Sequence, residues 1–169
     1  AKLMNDVAAD IVNVDWVGNP ANMGSATLDG TGVIVAVLDT GLDNAVVCDG
    51  ISGCNTLNSG INADFFGRIL HVESFTNCGG TDGPEDPHGH GTHVAGSVLG
   101  SGASSPPGVD YSGMAPGAQL YMQSRASGST GMSLCPLSDY QNEIFGPAYD
   151  AGARVHTNSW GTGPDYTDD

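Results

Sequence analysis

The residues best suited to chemistry are an aspartate and a histidine in two short motifs. Asp39 follows the unbroken apolar run VIVAVL (33–38) and precedes a Thr-Gly turn. His90 opens HGTHVAG, where a Gly-rich turn leads into a helix of small residues. A carboxylate can hold one ring nitrogen of an imidazole while the other nitrogen takes a proton from a nucleophile. We therefore expect Asp39 to orient His90 and His90 to act as a general base.

Asp39 also permits other interpretations when it is considered alone. The tripeptide D-T-G is a signature of aspartic proteases, in which two aspartates share one proton. A homodimer could supply the second aspartate, giving a dimeric aspartic protease. A purely structural role, in which Asp39 caps the following turn, is the third interpretation. This motif by itself leaves the Asp–His and aspartic-protease interpretations equally open.

The histidines around His90 allow a metal site as an alternative. His88, His90 and His93 lie close together in DPHGHGTHVAG, a spacing that resembles the zinc loop of metallo-β-lactamase-like hydrolases. Thr92 occupies a position that is normally aspartate in such loops, and His156 is the remaining candidate ligand. Because only the Asp–His interpretation gives both motifs a joint role, metal ligands stay unassigned.

Alternating strands and helices would position these residues. The predicted strands are 33–38, 68–75, 118–124 and 153–159. The predicted helices are 5–12, 90–100 and a segment that begins with a capping box of Ser138 and Gln141, whereas 18–32 and 43–67 are predicted loops. This order predicts an α/β fold with three layers and a mainly parallel sheet. Chemistry in such sheets collects at the carboxyl ends of strands, where Asp39 and Ser159 lie.

Three residues are unfavourable in the helices that contain them. Pro147 should kink or split its helix, at a cost of roughly 3 kcal/mol or more. Gly91 and Gly96 lower the propensity of the segment 90–100 for helix. We therefore expect close packing against backbone to require both glycines.

The overall charge excludes one class of partner. Lysine and arginine total 4 residues against 19 acidic ones, for a formal charge of -15. Nucleic-acid binding depends on basic residues, so nucleic acid is not expected as a partner. No apolar run approaches the roughly 18 residues of a membrane span, so a membrane is not expected either. The acidity favours solubility, and it also fits an environment rich in salt or Ca2+.

Four cysteines bear on the cellular compartment. None of them forms a C-x-x-C pair, and three disulfide pairings are open to them. The preferred pairing joins Cys48 to Cys54 and Cys78 to Cys135, with four free buried thiols as the alternative. Disulfides favour an oxidising setting outside the cytosol, so we expect a secreted protein.

Four segments resemble the subtilisin-like serine proteases, the subtilase family, in content and order. They are VIVAVLDTGLD, HGHGTHVAGSVLG, YSGMAPGAQLYMQS and GARVHTNSWG, and they run through nearly the whole chain. The variants SVLG and ARVHTNSWG are most similar to the oxidation-resistant alkaline subtilases. The resemblance implies a subtilisin-like α/β fold and a serine endopeptidase whose triad follows the order Asp, His, Ser. Asp39 would then support His90, which takes the serine proton and passes it to the leaving amine.

The resemblance also implies substrate contacts and possible ions. Ser127 and Gly128 resemble the backbone edge to which a substrate adds as a strand, and Ser159, Trp160 and Gly161 resemble a wall of the S1 pocket. Ordinary turns are the alternative for both. The chemistry requires no cofactor. Structural Ca2+ could bind the acidic loops 43–67 and 82–86, although neither has EF-hand spacing.

The resemblance is incomplete at the C-terminal side. The oxyanion-hole asparagine and the G-T-S-M-A-type serine motif of the family would follow residue 169. We therefore expect 1–169 to be the N-terminal part of one catalytic domain, inactive without the part that carries the serine. That remainder, held through a shared sheet, and protein or peptide substrates are the expected partners. Nicking in the exposed segment GTGPDYTDD is preferred to truncation. A non-catalytic subtilase scaffold is an alternative, against which the intact Asp39 and His90 argue.

Overall fold

The computed structural model describes residues 5–56, 61–75, 83–127, 133–134 and 139–161. Its strands are β1 Ile34–Asp39, β2 Cys48–Asp49, β3 Ile69–Ser74, β4 Gln119–Ser124, β5 Ala126–Ser127, β6 Ser133–Leu134 and β7 Val155–Thr157. Its α-helices are α1 Asn5–Val12, α2 Val14–Gly18, α3 Ile51–Thr56, α4 His90–Leu99 and α5 Gly146–Asp150. A 3-10 turn at Ala63–Phe65 and a π-helical segment at Gln141–Phe145 complete the described elements. In the described ranges, no helix combines the length and the apolar character that a membrane crossing requires.

The main sheet is mostly parallel, and β1 lies inside it between β4 and the edge strand β7. The strand order among the described residues is β2-β3-β4-β1-β7, with β3, β4, β1 and β7 parallel and β2 antiparallel at one edge. Asp39 is in register with Ser124, so β1 and β4 end together at the same side of the sheet. The predicted α/β fold with a mainly parallel sheet is confirmed.

Helices cover both faces of the sheet, which explains why β1 is apolar without alternation. One face packs against α4 in a core that includes Val35, Val37, Leu120, Met122, Val94, Ala95 and Leu99. The other face packs against α5 and the loop after it through Ala36, Tyr121, Ala148 and Ala153. Burying one aliphatic side chain contributes about 1.5–3 kcal/mol, so these two layers hold β1 firmly. The carboxyl end of β1 is therefore a rigid place for a functional side chain.

The segment 43–67 differs from its prediction as a loop. It contains β2, α3 and the 3-10 turn, and the expected disulfide between Cys48 and Cys54 joins the first two elements. The Asn- and Gly-rich sequence has no strand pattern here. β2 forms through its pairing with β3, a later segment of the chain, so the local sequence does not indicate it. Cys78 and Cys135 lie outside the described residues.

The helical segment that contains Pro147 is split, as predicted. A π-helical turn covers Gln141–Phe145, and α5 starts at Gly146 with the proline in its first turn. Proline is tolerated there because the first N–H groups of a helix have no partner within the helix. Ser138, the predicted cap, lies outside the described residues.

Candidate active site

Asp39 is the last residue of β1 and is fully buried, with 0% of its surface exposed. Its Oδ1 accepts a hydrogen bond from the backbone N–H of Thr40 at 2.8 Å and lies 2.7 Å from His90 Nδ1. The covered strand and these contacts fix the carboxylate in one orientation. Asp39 can therefore hold a partner side chain but is closed to solvent.

His90 is the first residue of α4 and carries the other half of this contact. Since a carboxylate only accepts hydrogen bonds, Nδ1 of the neutral ring holds its proton and Nε2 is the acceptor. No described residue pairs with Nε2, and 41% of the His90 side chain is exposed. The ring is thus oriented on its buried side and open on its reactive side, which is the arrangement of a general base.

Gly91 lets the first turn of α4 touch the turn that follows Asp39. A Cβ at Gly91 would lie 2.4 Å from Gly41 O and 2.7 Å from Gly41 N, distances that no real side chain tolerates. The expected need for glycine at this position is confirmed. The same expectation is wrong for Gly96, where a Cβ would meet no described atom within 4 Å.

Asp86 joins the same two segments through four hydrogen bonds. Its Oδ1 accepts from Thr40 Oγ1 at 2.7 Å and from Gly89 N at 2.9 Å. Its Oδ2 accepts from the backbone N–H and the Oγ1 hydroxyl of Thr92, both at 2.7 Å. The sequence pattern indicated this residue only as part of an acidic loop, 82–86, that could bind Ca2+. N–H and O–H donors point at both oxygens, so this carboxylate does not fit a cation.

The predicted substrate-binding residues fall into two groups. Ser127 ends β5, whose backbone pairs with Ser133 of β6, and Gly128 lies outside the described residues. Trp160 donates its indole N–H to Leu38 O at 3.0 Å, which fixes the segment after β7 to the end of β1. That bond makes Trp160 a support for the strand that ends at Asp39.

Ser159 shares a cavity with His90. The cavity has a volume of about 770 Å³, lies between α4 and β7, and is lined mainly by apolar groups such as Val94, Val98 and Val155. The structure thus places Ser159 and His90 on the walls of one cavity. Gly161 is exposed at the end of the described segment.

The zinc interpretation does not fit the positions of the histidines. His156 lies 2.9 Å from Gln123 Oε1 through Nε2 and 3.1 Å from Asn158 Nδ2 through Nδ1, so both of its nitrogens are engaged away from His90. Within the described ranges, no three His, Cys, Asp or Glu side chains are gathered as a metal site would require. The described parts of the acidic loops therefore locate no Ca2+ site either.

A second polar cluster lies on the sheet face opposite α4. His71 Nδ1 is 3.1 Å from Asp49 Oδ1, its Nε2 is 3.7 Å from Glu73 Oε2, and its ring stacks on Tyr121 at 4.3 Å. Glu73, and then Asp49, raise the pKa of His71 above its ordinary value, although burial opposes them. Burial alone lowers the pKa of His156 on the same face. The pKa values of the two histidines on this face are therefore shifted in opposite directions.

Comparison with known proteins agrees with this arrangement. The sequence profile described as the Subtilase family matches residues 30–169, and the chain therefore belongs to the subtilase family. It is 34% identical over 153 residues to the Serine protease/ABC transporter B family protein tagD of Dictyostelium discoideum, which covers 90% of this chain and 8% of that protein. It is 39% identical over 94 residues to Serine protease AprX of Bacillus subtilis (strain 168), covering 56% of this chain and 16% of that protein. Bacillopeptidase F of the same bacterium is 28% identical over 161 residues, covering 89% of this chain and 10% of that protein. The chain thus spans a small part of each relative.

Family membership decides between the two protease interpretations of Asp39. An aspartic protease needs the carboxylate free to share a proton with a second aspartate. Here Oδ1 contacts His90 and the whole residue is buried. The dimeric aspartic-protease interpretation is therefore wrong.

Proposed function

We propose that residues 1–169 form the N-terminal part of one subtilisin-like catalytic domain that hydrolyses peptide bonds as a secreted serine endopeptidase. The observation that carries this proposal is the 2.7 Å contact between His90 Nδ1 and Asp39 Oδ1, which leaves the opposite edge of the imidazole exposed. A buried carboxylate that orients a half-exposed histidine serves little purpose in a scaffold without catalysis.

In the proposed reaction, His90 acts at its open nitrogen. Nε2 takes the proton from the hydroxyl of a serine supplied by the C-terminal part, while that oxygen attacks the scissile carbonyl. Asp39 stabilises the imidazolium that forms and keeps the ring in one tautomer. The proton then passes to the leaving amine. General base catalysis of this kind contributes typically 10²–10⁴-fold to the rate.

The face beside β7 supports a docking place for the C-terminal part that carries the serine. β7 pairs with β1 on one side and has no neighbour on the other among the described strands. Its Val155 is 52% exposed, and the apolar cavity between β7 and α4 opens beside His90. Adding strands to this edge would bury apolar surface and bring a serine to the exposed side of the imidazole. The remainder of the protease is therefore the proposed partner.

Substrate would lie between the two segments that leave the sheet near Asp39. The strand edge at Ser127 and Gly128 is the proposed partner of an extended peptide, and Ser159–Gly161 is the proposed wall of the S1 pocket. The hydrogen bond from Trp160 to Leu38 supports the second assignment, because it holds that wall at a fixed distance from the catalytic pair.

The disulfide between Cys48 and Cys54 supports secretion, because such bonds persist in oxidising compartments. Fractionation of cells that express the full-length gene tests this point. We expect the protein outside the cytosol, and a wholly cytosolic protein with reduced thiols would contradict secretion.

The activity is tested by labelling the full-length protein with a fluorophosphonate probe, followed by denaturing separation and mass analysis. We expect the label on a serine outside residues 1–169, and we expect His90→Ala and Asp39→Asn to reduce labelling by about 10³-fold or more. His88→Ala is the matched control, since His88 is a loop histidine whose ring lies 6.0 Å from that of His90. A folded wild-type protein that takes no label would refute the protease and leave a non-catalytic scaffold.

A further inference from the structure

A carboxylate outside the Asp–His pair accounts for how that pair is aligned. Asp86 is 6% exposed, and its four hydrogen bonds at 2.7–2.9 Å occupy the acceptor sites of both oxygens. Thr40, one of the donors, directly follows Asp39. Gly89, another donor, directly precedes His90. Asp86 therefore holds the immediate neighbours of both members of the pair.

The directions of these hydrogen bonds follow from the acceptor-only character of a carboxylate. The Thr40 hydroxyl donates to Asp86 and accepts from the N–H of Gly91 at 2.8 Å. The Thr92 hydroxyl donates to Asp86 and accepts from the N–H of Asp43 at 2.9 Å. Each threonine hydroxyl thus connects Asp86 to a backbone N–H group on the other segment.

Asp86 and Thr40 also supply the cap that α4 lacks. The N-cap position is Gly89, which has no side chain to accept from the free N–H groups of the first turn. Thr40 Oγ1 accepts from Gly91 and Asp86 accepts from Thr92 instead. The start of α4, and with it His90, is consequently fixed against the turn after β1 by side chains from other segments.

We propose that Asp86 is a positioning residue for the serine-protease reaction, an inference that rests on the proposed function. It holds the turn after β1 and the first turn of α4 at the separation that gives the 2.7 Å contact between Asp39 and His90. It does not touch substrate. Its loss should therefore lower kcat and leave KM nearly unchanged.

Asp86→Asn tests this in the full-length protein. An amide has one acceptor oxygen, so its NH2 group must face donors that now point at a carboxylate oxygen. We expect kcat to fall about 10–100-fold, because a shift of about 1 Å near the chemistry can cost 100-fold. Asp110→Asn is the control, since Asp110 is an exposed carboxylate that accepts from the N–H of Ser112 at 2.8 Å, outside the catalytic pair.

Substitutions of Thr40 separate positioning from a general loss of structure. Thr40→Ser retains the hydroxyl that bridges Asp86 and Gly91, whereas Thr40→Val retains the shape and loses the bridge. We expect kcat to be retained in the first variant and reduced in the second, with similar KM. This pair decides the proposal even if Asp86→Asn does not fold.

The NMR resonance of the proton on His90 Nδ1 gives a readout that needs no catalysis. We expect it to shift or broaden in Asp86→Asn and to persist in Thr40→Ser. An unchanged resonance together with wild-type kcat in Asp86→Asn overturns the positioning role, while fluorophosphonate labelling of the wild type still supports the protease. If the wild type takes no label but its resonance still depends on Asp86, the proposed protease activity is refuted. A role of Asp86 in hydrolysis is then refuted as well.

Discussion

The contact between α4 and the turn after β1 can be tested by adding a single methyl group. In Gly91→Ala the new Cβ would lie 2.4 Å from Gly41 O and 2.7 Å from Gly41 N. Both are backbone atoms of a turn held in place by the buried strand, so neither can rotate away. To reach ordinary contact, the start of the helix must move by about 1 Å. The same movement would lengthen the contact between His90 and Asp39 beyond hydrogen-bond distance.

The expected effect has two parts, a loss of stability and a loss of catalytic rate. Overpacking of this kind costs about 1–3 kcal/mol of stability, which the better helix propensity of alanine offsets by up to about 1 kcal/mol. A misplacement of about 1 Å at the proposed catalytic pair, Asp39 and His90, costs about 100-fold in rate. Gly91→Ala should therefore lose about 100-fold in activity, while its free energy of unfolding falls by no more than about 3 kcal/mol.

Gly96→Ala is the matched control on the same helix. A Cβ there meets no described atom within 4 Å, so the substitution should raise stability by up to about 1 kcal/mol and leave activity unchanged. The assays are kcat/KM on a peptide substrate and urea unfolding, both on the full-length protein. If the two variants behave alike in both assays, the backbone contact does not position His90 and the reasoning is wrong.

Two further predictions concern the edge of the sheet around β2. The raised pKa of His71, caused first by Glu73 and then by Asp49, means that the folded state binds the proton more tightly than the unfolded state. This stabilisation is complete below the unfolded pKa of about 6.5 and is lost as pH rises through the raised folded value, so His71→Gln should be more destabilising below about pH 6 than above about pH 9. Urea unfolding of the full-length protein at both pH values measures this, and a difference independent of pH would contradict it. Replacing Cys48 and Cys54 together by serine should cost about 2 kcal/mol, the loop-closure entropy of so short a loop, and a thermal melt without loss of stability would show that the disulfide is dispensable.

The elements that carry Asp39 and His90 could be predicted because their causes are local. The unbroken apolar run before Asp39 indicates a strand covered on both faces, and the small residues after His90 indicate a helix that packs closely. The close contact at Gly91 was predicted from its place in that helix, but Gly96 in the same helix makes no such contact with a described residue, so a helical glycine alone does not locate one. The pairing of Asp39 with His90 followed from chemistry once strand and helix were assumed to be neighbours.

The remaining features depend on contacts between distant positions. Asp86 and Thr40 are 46 residues apart, and Trp160 and Leu38 are 122 apart, so no local pattern indicates either hydrogen bond. The nearest hint at Asp86 is the glycine at the N-cap of α4, which leaves the helix start in need of an acceptor from elsewhere. β2 was missed because a strand of two residues has no periodicity and exists only through its partner.

The two edges of the main sheet differ in how readily each can accept another strand. At one edge, β2 has two residues, runs antiparallel, is tied by a disulfide and carries the exposed carboxylate of Asp49. Short, charged edges of this kind resist further pairing. At the other edge, β7 presents a parallel strand with an apolar side chain. Among the described strands, the sheet can therefore be extended only beside β7, and a segment that pairs there would find no equivalent free edge at β2.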